Sequence, residues 1–233
     1  NTESPWIEWR CGDRVYYRNV VTKTLSLRFP KTGGVSSSRT EMKSPEKFER
    51  NFEDAGRLES LREAGQLKQD SPWKEVRCEG CSVYHHKVSE TMSTVFPKKE
   101  GVHASVTANE GKTFALCLRR AERLDELRTA GQLNVESKWT QYTLEDRAYY
   151  HHAKDGQKKT SRLDTMPSLS VPQAGVCDSK AVDPNDDDLR KIFGQTFHLA
   201  ERLDALRKTN QFNPTSNWKE FMHEGQAYYR HEV

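Results

Sequence analysis

No stretch of this 233-residue sequence is apolar enough to span a bilayer. The longest runs, such as Phe114 to Leu118, fall far short of the ~20 residues a spanning helix needs. The opening segment, Asn1 to Trp9, is polar and acidic and lacks the apolar centre of a secretory signal. Apolar residues are scarce throughout: 34% of the chain is hydrophobic and 30% is charged. That is thin for one continuous core and predicts several small ones. An excess of one charge is lacking too. The net charge of +3 is short of the strong basic excess of a dedicated nucleic-acid binder. The cysteines, Cys11, Cys78, Cys81, Cys117 and Cys177, are odd in number and lie at unlike places. They argue against a disulfide framework and predict a reducing intracellular compartment, cytoplasmic or nuclear, or a mitochondrial assembly.

What is present is a repeat. Trp6, Trp73, Trp139 and Trp218 are each followed, eleven residues on, by Tyr17, Tyr84, Tyr150 and Tyr229. The residue before that tyrosine is Tyr16, Val83, Tyr149 or Tyr228, and a polar pair comes after it (Arg18-Asn19, His85-His86, His151-His152, Arg230-His231). Pro30, Pro97 and Pro167 close three of the copies. A second block, Arg-Leu-acid-x-Leu-Arg, occurs at Arg57–Arg62 and Arg123–Arg128 and again, as Arg-Leu-Asp-Ala-Leu-Arg, at Arg202–Arg207. Leu67, Leu133 and Phe212 each stand six positions before the tryptophan that follows. Fixed spacing over whole blocks marks a repeat architecture.

The second block has helical periodicity. Phe48, Phe52, Ala55, Leu58, Leu61 and Ala64 form one apolar stripe, as do Phe114, Leu118, Ala121, Leu124 and Leu127, and Phe193, Phe197, Ala200, Leu203 and Leu206. Gly65, Gly131 and Asn210 are residue types that end a helix in the left-handed conformation. The tryptophan block reads as short antiparallel strands, with turn residues at Gly12-Asp13, Glu79-Gly80, Glu145-Asp146 and Glu224-Gly225. Lys31 to Lys47, Lys98 to Lys112 and Ser168 to Asp188 read as flexible linkers rich in Gly, Ser, Pro, Lys and Asp. The expected fold is thus a small α+β repeat array. Its three-stranded antiparallel sheets are each preceded by one α-helix, in modules 1–30, 46–97, 112–167 and 188–233. The first copy lacks a helix and the last a third strand, which predicts an array extending past both ends.

A tryptophan, an aromatic pair, Asn or His, and a strand ending in proline together resemble the WW domain. The resemblance covers about half the chain in four pieces. It implies a structural buckle of Trp6, Tyr17 and Pro30; Trp73, Tyr84 and Pro97; Trp139, Tyr150 and Pro167; and Trp218 and Tyr229. It also implies a groove for proline-rich peptides on the opposite face, here Tyr16 with Leu27, Tyr149 and Tyr228. The family's second groove tryptophan is missing; its place falls near Leu27, Thr94 and Leu163. The family's ligand-reading histidine is also missing, its place falling near Val20, Lys87, Ala153 and Glu232. A polyproline helix needs its rings held between aromatic faces. Tyr16 against Leu27 keeps half of such a clamp, and Val83 against Thr94 keeps none.

Other residues invite chemistry and have plainer readings. Cys78 and Cys81 beside His85 and His86 suggest half a zinc site, but structural zinc takes four converging ligands and the other copies lack the cysteine pair. His151 and His152 point to opposite faces of a strand and have no recurring carboxylate or nucleophile partner. Asp186-Asp187-Asp188 lacks the glycine and terminal glutamate of a calcium loop and suits a helix N-terminus instead. The expected function is a non-enzymatic, cofactor-free scaffold or structural subunit with protein partners. One rival is an adaptor for proline-rich peptides; the other is an RNA-binding subunit of a ribonucleoprotein, its aromatic and basic sheet faces stacking on single strands.

Overall fold

The structure, a computed structural model, describes residues 4–40, 45–152, 167–213, 216–223 and 226–231. Leu163, Ala153, Glu232 and the Glu224-Gly225 turn lie outside them.

Hairpins form where the alternating aromatic segments flank two turn residues. β1 (Trp6–Cys11) pairs antiparallel with β2 (Arg14–Asn19), and Cys11 faces Arg14 across Gly12-Asp13. β5 (Trp73–Cys78) and β6 (Cys81–His86) do the same across Glu79-Gly80. Both of those turn residues have positive φ, 49° and 82°, which matches the right-handed twist of the strands they join. β9 (Trp139–Leu144) pairs with β10 (Arg147–His152), and β12 (Trp218–His223) with β13 (Gln226–His231). Two-residue strands, β3 (Leu25–Ser26) and β7 (Met92–Ser93), add the third antiparallel element to the first two sheets.

The expected architecture needs correction at this point, because the sheets are mixed and not purely antiparallel. The supposed linkers contain β4 (Ser37–Thr40), β8 (Ala104–Thr107) and β11 (Asp178–Ala181). β4 lies parallel to β1, with Glu8 opposite Ser38, and β8 lies parallel to β5, with Glu75 opposite Ser105. The strand orders are β3-β2-β1-β4 and β7-β6-β5-β8, and in the third copy β10 pairs with β9. A four-residue edge strand of Ser, Thr and Arg shows no hydrophobic alternation, because its energy comes from backbone hydrogen bonds. It therefore reads as linker. The signal it did leave is Gly-Val-x-x-Ser at Gly34–Ser38, Gly101–Ser105 and Gly175–Ser179.

Each fourth strand leads into a helix: α1 (Pro45–Glu63), α2 (Gly111–Thr129) and α3 (Asp187–Lys208). Gly65, Gly131 and Asn210 follow the helices with φ of 65°, 65° and 57°, and Asp186 caps α3 by accepting the Leu189 N–H at 3.0 Å. The repeat is therefore sheet then helix, three times over, rather than helix then sheet. α1 packs across β1, β2 and β3 of the sheet before it and also against β8 of the sheet after it. The cores stay small and separate. Phe48, Ala55 and Leu58 close on Tyr16 and Leu25; Leu61 closes on Tyr84 and Val102; Phe114 and Ala121 close on Val83; Phe193 and Ala200 close on Tyr149 and Leu144. By its internal contacts the chain divides into two compact units, Asn1–Glu136 with Cys177–Ala181, and Ser137–Val176 with Val182–Val233.

Glycine is required at one junction by close approach. At Gly101 (φ 65°) a Cβ would collide with the Gln66 carbonyl, whereas at Gly34 (φ 62°) nothing lies within 4 Å. Gly34→Ala should therefore cost only the left-handed strain, about 1–2 kcal/mol. Gly101→Ala should add overpacking and reach about 2–4 kcal/mol. Urea midpoints of the two variants check this; equal losses would mean Gln66 does not sit against Gly101.

Among the described residues no helix is long and apolar enough to cross a membrane. None of the five cysteines forms a disulfide.

Candidate functional site

The residues around each tryptophan are held by polar fastenings that recur with it. Ser4, Ser71 and Ser137, two residues before Trp6, Trp73 and Trp139, donate through Oγ to the carbonyls of Gly34, Gly101 and Gly175, each at 2.7 Å. The same oxygens accept the tryptophan N–H at 3.1–3.3 Å. Two residues after the tryptophan comes a polar side chain, buried in the second and third copies and half-buried in the first and fourth. Glu75 is fully buried; it receives a forked pair of bonds from Arg57 (2.9 and 2.7 Å), the Tyr84 hydroxyl (3.0 Å) and the Ser105 hydroxyl (2.6 Å). Burial alone would push this carboxyl up, but those donors outweigh it and hold it below the usual range. Glu220 takes the same fork from Arg202, with Tyr229 at 3.2 Å. Gln141, the equivalent in the third copy, donates to the Tyr150 hydroxyl at 2.9 Å.

The acid two residues after that arginine faces the other way along the chain. Asp125 of α2 accepts from Ser93 Oγ (2.8 Å), Thr94 N–H (2.7 Å) and Thr94 Oγ1 (2.8 Å), all in the preceding sheet. Asp204 of α3 accepts from Leu169 N–H at 2.8 Å, and Glu59 of α1 pairs with Arg28 at 2.5 Å. A Leu-flanked Arg and acid thus fasten one helix to two sheets.

These fastenings leave an open groove in the same place in the second and third copies, each with a volume of about 540 Å³. In the second copy Trp73 meets His86 edge-on at 4.8 Å, Phe96 and Pro97 form a wall, and Asp125 and Arg128 close one end. In the third, Trp139 meets His152 at 4.9 Å, Val171 and Pro172 form the wall, and Asp204 and Arg207 close the end. Leu133 in one and Phe212 in the other complete the lining, with Arg207 stacked 4.9 Å from the Phe212 ring. His86 Nδ1 accepts the Ser89 N–H at 3.1 Å, which orients that ring beside Trp73. The arrangement offers an apolar trough with a few polar groups, suited to an extended chain with apolar side chains.

The buckle residues are therefore split between core and groove. Tyr84 and Tyr150 are buried, and Tyr84 meets Phe96 edge-on at 5.3 Å, as Tyr17 meets Phe29 at 5.6 Å. Trp6 is half-buried, while Trp218 and Tyr229 are exposed. Pro30 and Pro97 hold equivalent places, but Pro167 does not match them. Tyr150 pairs with Ser168 as Tyr17 pairs with Ser26 and Tyr84 with Ser93. Counting from those serines, the third proline is Pro172, and the residue in the place of Leu27 and Thr94 is Leu169. Pro167 is fully buried, in the place of Leu25 and Met92.

The face expected to hold a peptide groove is occupied from within. Tyr16 lies 5.2 Å from Phe48 of α1 and Tyr149 lies 5.1 Å from Phe193 of α3; both tyrosines are buried, and burial pushes the Tyr149 hydroxyl up to about 12. Leu27 packs at the edge of the Phe48 cluster, and Val83 is covered by Phe114. Tyr228, with no helix over it among the described residues, is half exposed. Cys78 and Cys81 pair across the β5–β6 hairpin, and among the described residues no three His, Cys, Asp or Glu side chains gather as metal ligands. The sequence reading missed the acid or amide two residues after each tryptophan, although its fixed offset (Glu8, Glu75, Gln141, Glu220) was visible.

No protein-family model, curated protein or solved structure matches this chain.

Proposed function

We propose that this chain is a non-enzymatic scaffold that holds extended segments of protein partners in grooves repeated from module to module. The supporting observation is the recurrence of one groove. Trp73, His86, Pro97, Asp125 and Arg128 in the second copy are matched by Trp139, His152, Pro172, Asp204 and Arg207 in the third. A trough rebuilt from the same side chains binds similar ligands twice, and two weak sites on one chain give avidity without strong single contacts. The apolar trough floors favour side-chain burial, at roughly 25 cal/mol per Å². Cysteines that form no disulfide suit a reducing compartment, where protein assemblies do not rely on such bonds.

A photo-crosslinking residue placed at Val95 or Ser170, both on groove rims, tests the reading. Irradiated in an extract of the source cells, both positions should give adducts that protease removes and ribonuclease leaves intact. Ribonuclease-sensitive adducts would overturn the proposal in favour of an RNA-binding subunit. An absence of adducts at both positions would also overturn it.

A further inference from the structure

The first and second sheets present the same polar ladder on the face turned away from the helix that follows them. In the second sheet it consists of Glu75 and Arg77 on β5 with Ser105 and Thr107 opposite on β8. In the first it consists of Glu8 and Arg10 on β1 with Ser38 and Thr40 opposite on β4. The second ladder is covered by α1. Arg57 forks onto Glu75, Asp54 accepts from Arg77 (2.6 Å) and Thr107 (2.8 Å), and Leu61 packs on Tyr84 and Val102. Just past the helix, Gln66 accepts the Val102 N–H at 2.9 Å and passes against Gly101.

No described element covers the first ladder. Ser38 and Thr40 are exposed where Ser105 is buried, and Phe29 is 53% exposed where Phe96 is part of a cluster under Leu61. Arg10 turns back onto Glu8 at 3.1 Å, and Ser38 donates to Glu8 at 2.8 Å. Gly34 has empty space where Gly101 has the Gln66 carbonyl. The ladder is also selective. α2 offers Arg120 where α1 offers Asp54, and Arg120 pairs with Asp178 of β11 at 2.8 Å. The first sheet carries Arg10 and Thr40, the counterparts of the Arg77 and Thr107 that donate to Asp54, so its charges match α1's pattern and repel α2's.

We propose that the face made by Glu8, Arg10, Ser38 and Thr40 is a docking site for an amphipathic helix of a protein partner. That helix carries Asp and, three residues later, Arg beside its apolar stripe, as α1 does with Asp54 and Arg57. The bound arginine displaces Arg10 from Glu8, and Arg10 swings to the incoming aspartate. This deepens the scaffold reading by naming a partner class for one surface, and it uses neither tryptophan groove.

The probe is a synthetic peptide of residues 45–70 of this chain, stapled between positions 60 and 64, where Ser60 and Ala64 are exposed. The staple supplies the helicity that an isolated segment of this length lacks. Titrated against the whole chain by calorimetry, the peptide should bind at one site. Glu8→Arg in the chain should weaken it roughly tenfold or more, and Arg57→Glu in the peptide should restore binding to that variant. Thr40→Glu, at an exposed position that does not threaten folding, should weaken binding by repelling the peptide's aspartate. No saturation up to about 1 mM peptide, or an affinity indifferent to both chain variants, would overturn the proposal. Crosslinks at Val95 and Ser170 would survive that failure and leave the scaffold reading in place.

Discussion

Glu75→Ala is expected to destabilise the first unit by about 3–5 kcal/mol, the usual cost of breaking a buried ion pair from one side. The glutamate is fully buried, and its removal strands the Arg57 guanidinium and the Tyr84 and Ser105 hydroxyls, three donors aimed at one vanished acceptor. Glu75→Gln should cost less, about 1–3 kcal/mol, because an amide oxygen can still accept from Arg57, and the third copy carries an amide, Gln141, at the matching position, bonded to Tyr150 through its NH2 group. The two variants also differ in pH behaviour. The Glu75 carboxyl is held below its usual range: burial, the largest influence, raises it, and the bonds from Arg57, Ser105 and Tyr84 more than reverse that. Its contribution to stability is therefore complete above the unfolded value of about 4.3 and is lost as pH falls through the lower folded value. The gap between the parent chain and Glu75→Gln should be constant from pH 7 to about 5 and shrink in stronger acid. Denaturant titrations at several pH values read this directly. A gap that stays the same into strong acid would show that the carboxylate's charge contributes nothing.

Phe48→Ala should be comparably severe, at about 3–5 kcal/mol. Phe48 is 1% exposed, 5.2 Å from the Tyr16 ring and 6.1 Å from that of Phe52. The lost side chain leaves a cavity between β2 and α1 that the stiff sheet cannot close. Phe52→Ala, at the rim of the same cluster, should cost clearly less. Because Trp9 stacks on Tyr16 at 6.4 Å, Phe48→Ala should also shift tryptophan emission to the red as water reaches that pair. A loss below about 1 kcal/mol would mean that the helix does not clamp the first sheet.

Much of this was legible from spacing. The hairpins, their two-residue turns, the three helices and the residues that end them all follow from patterns of period two and 3.6. The tryptophan grooves were half legible. Trp73 and Pro97 follow from the repeat, but in the third copy counting forward leads to Pro167 where Pro172 belongs. The stretch between Tyr150 and Ser168 differs in length from the other copies, so counting forward loses register. The pairing of Tyr150 with Ser168 restores it. The peptide face suggested by the WW resemblance was misplaced for a different reason. Tyr16 and Tyr149 have the same side-chain chemistry whether they meet a ligand or Phe48 and Phe193 of a helix.

By itself the sequence determined the local elements and the residues that must leave water, because turn geometry, helix termination and hydrophobic periodicity act over a few neighbouring positions. Only the tertiary structure decided what those residues meet. The parallel strands β4 and β8 are bound by backbone groups to partners some thirty residues earlier, and the Gly-Val-x-x-Ser motif that recurs at them does not say which strand they join. The double allegiance of each helix was hidden as well. Hydrophobic burial has no direction, so an apolar stripe cannot say which sheet it serves. In the first unit that choice is made by Arg57 reaching Glu75 ahead of it while Glu59 pairs with Arg28 behind.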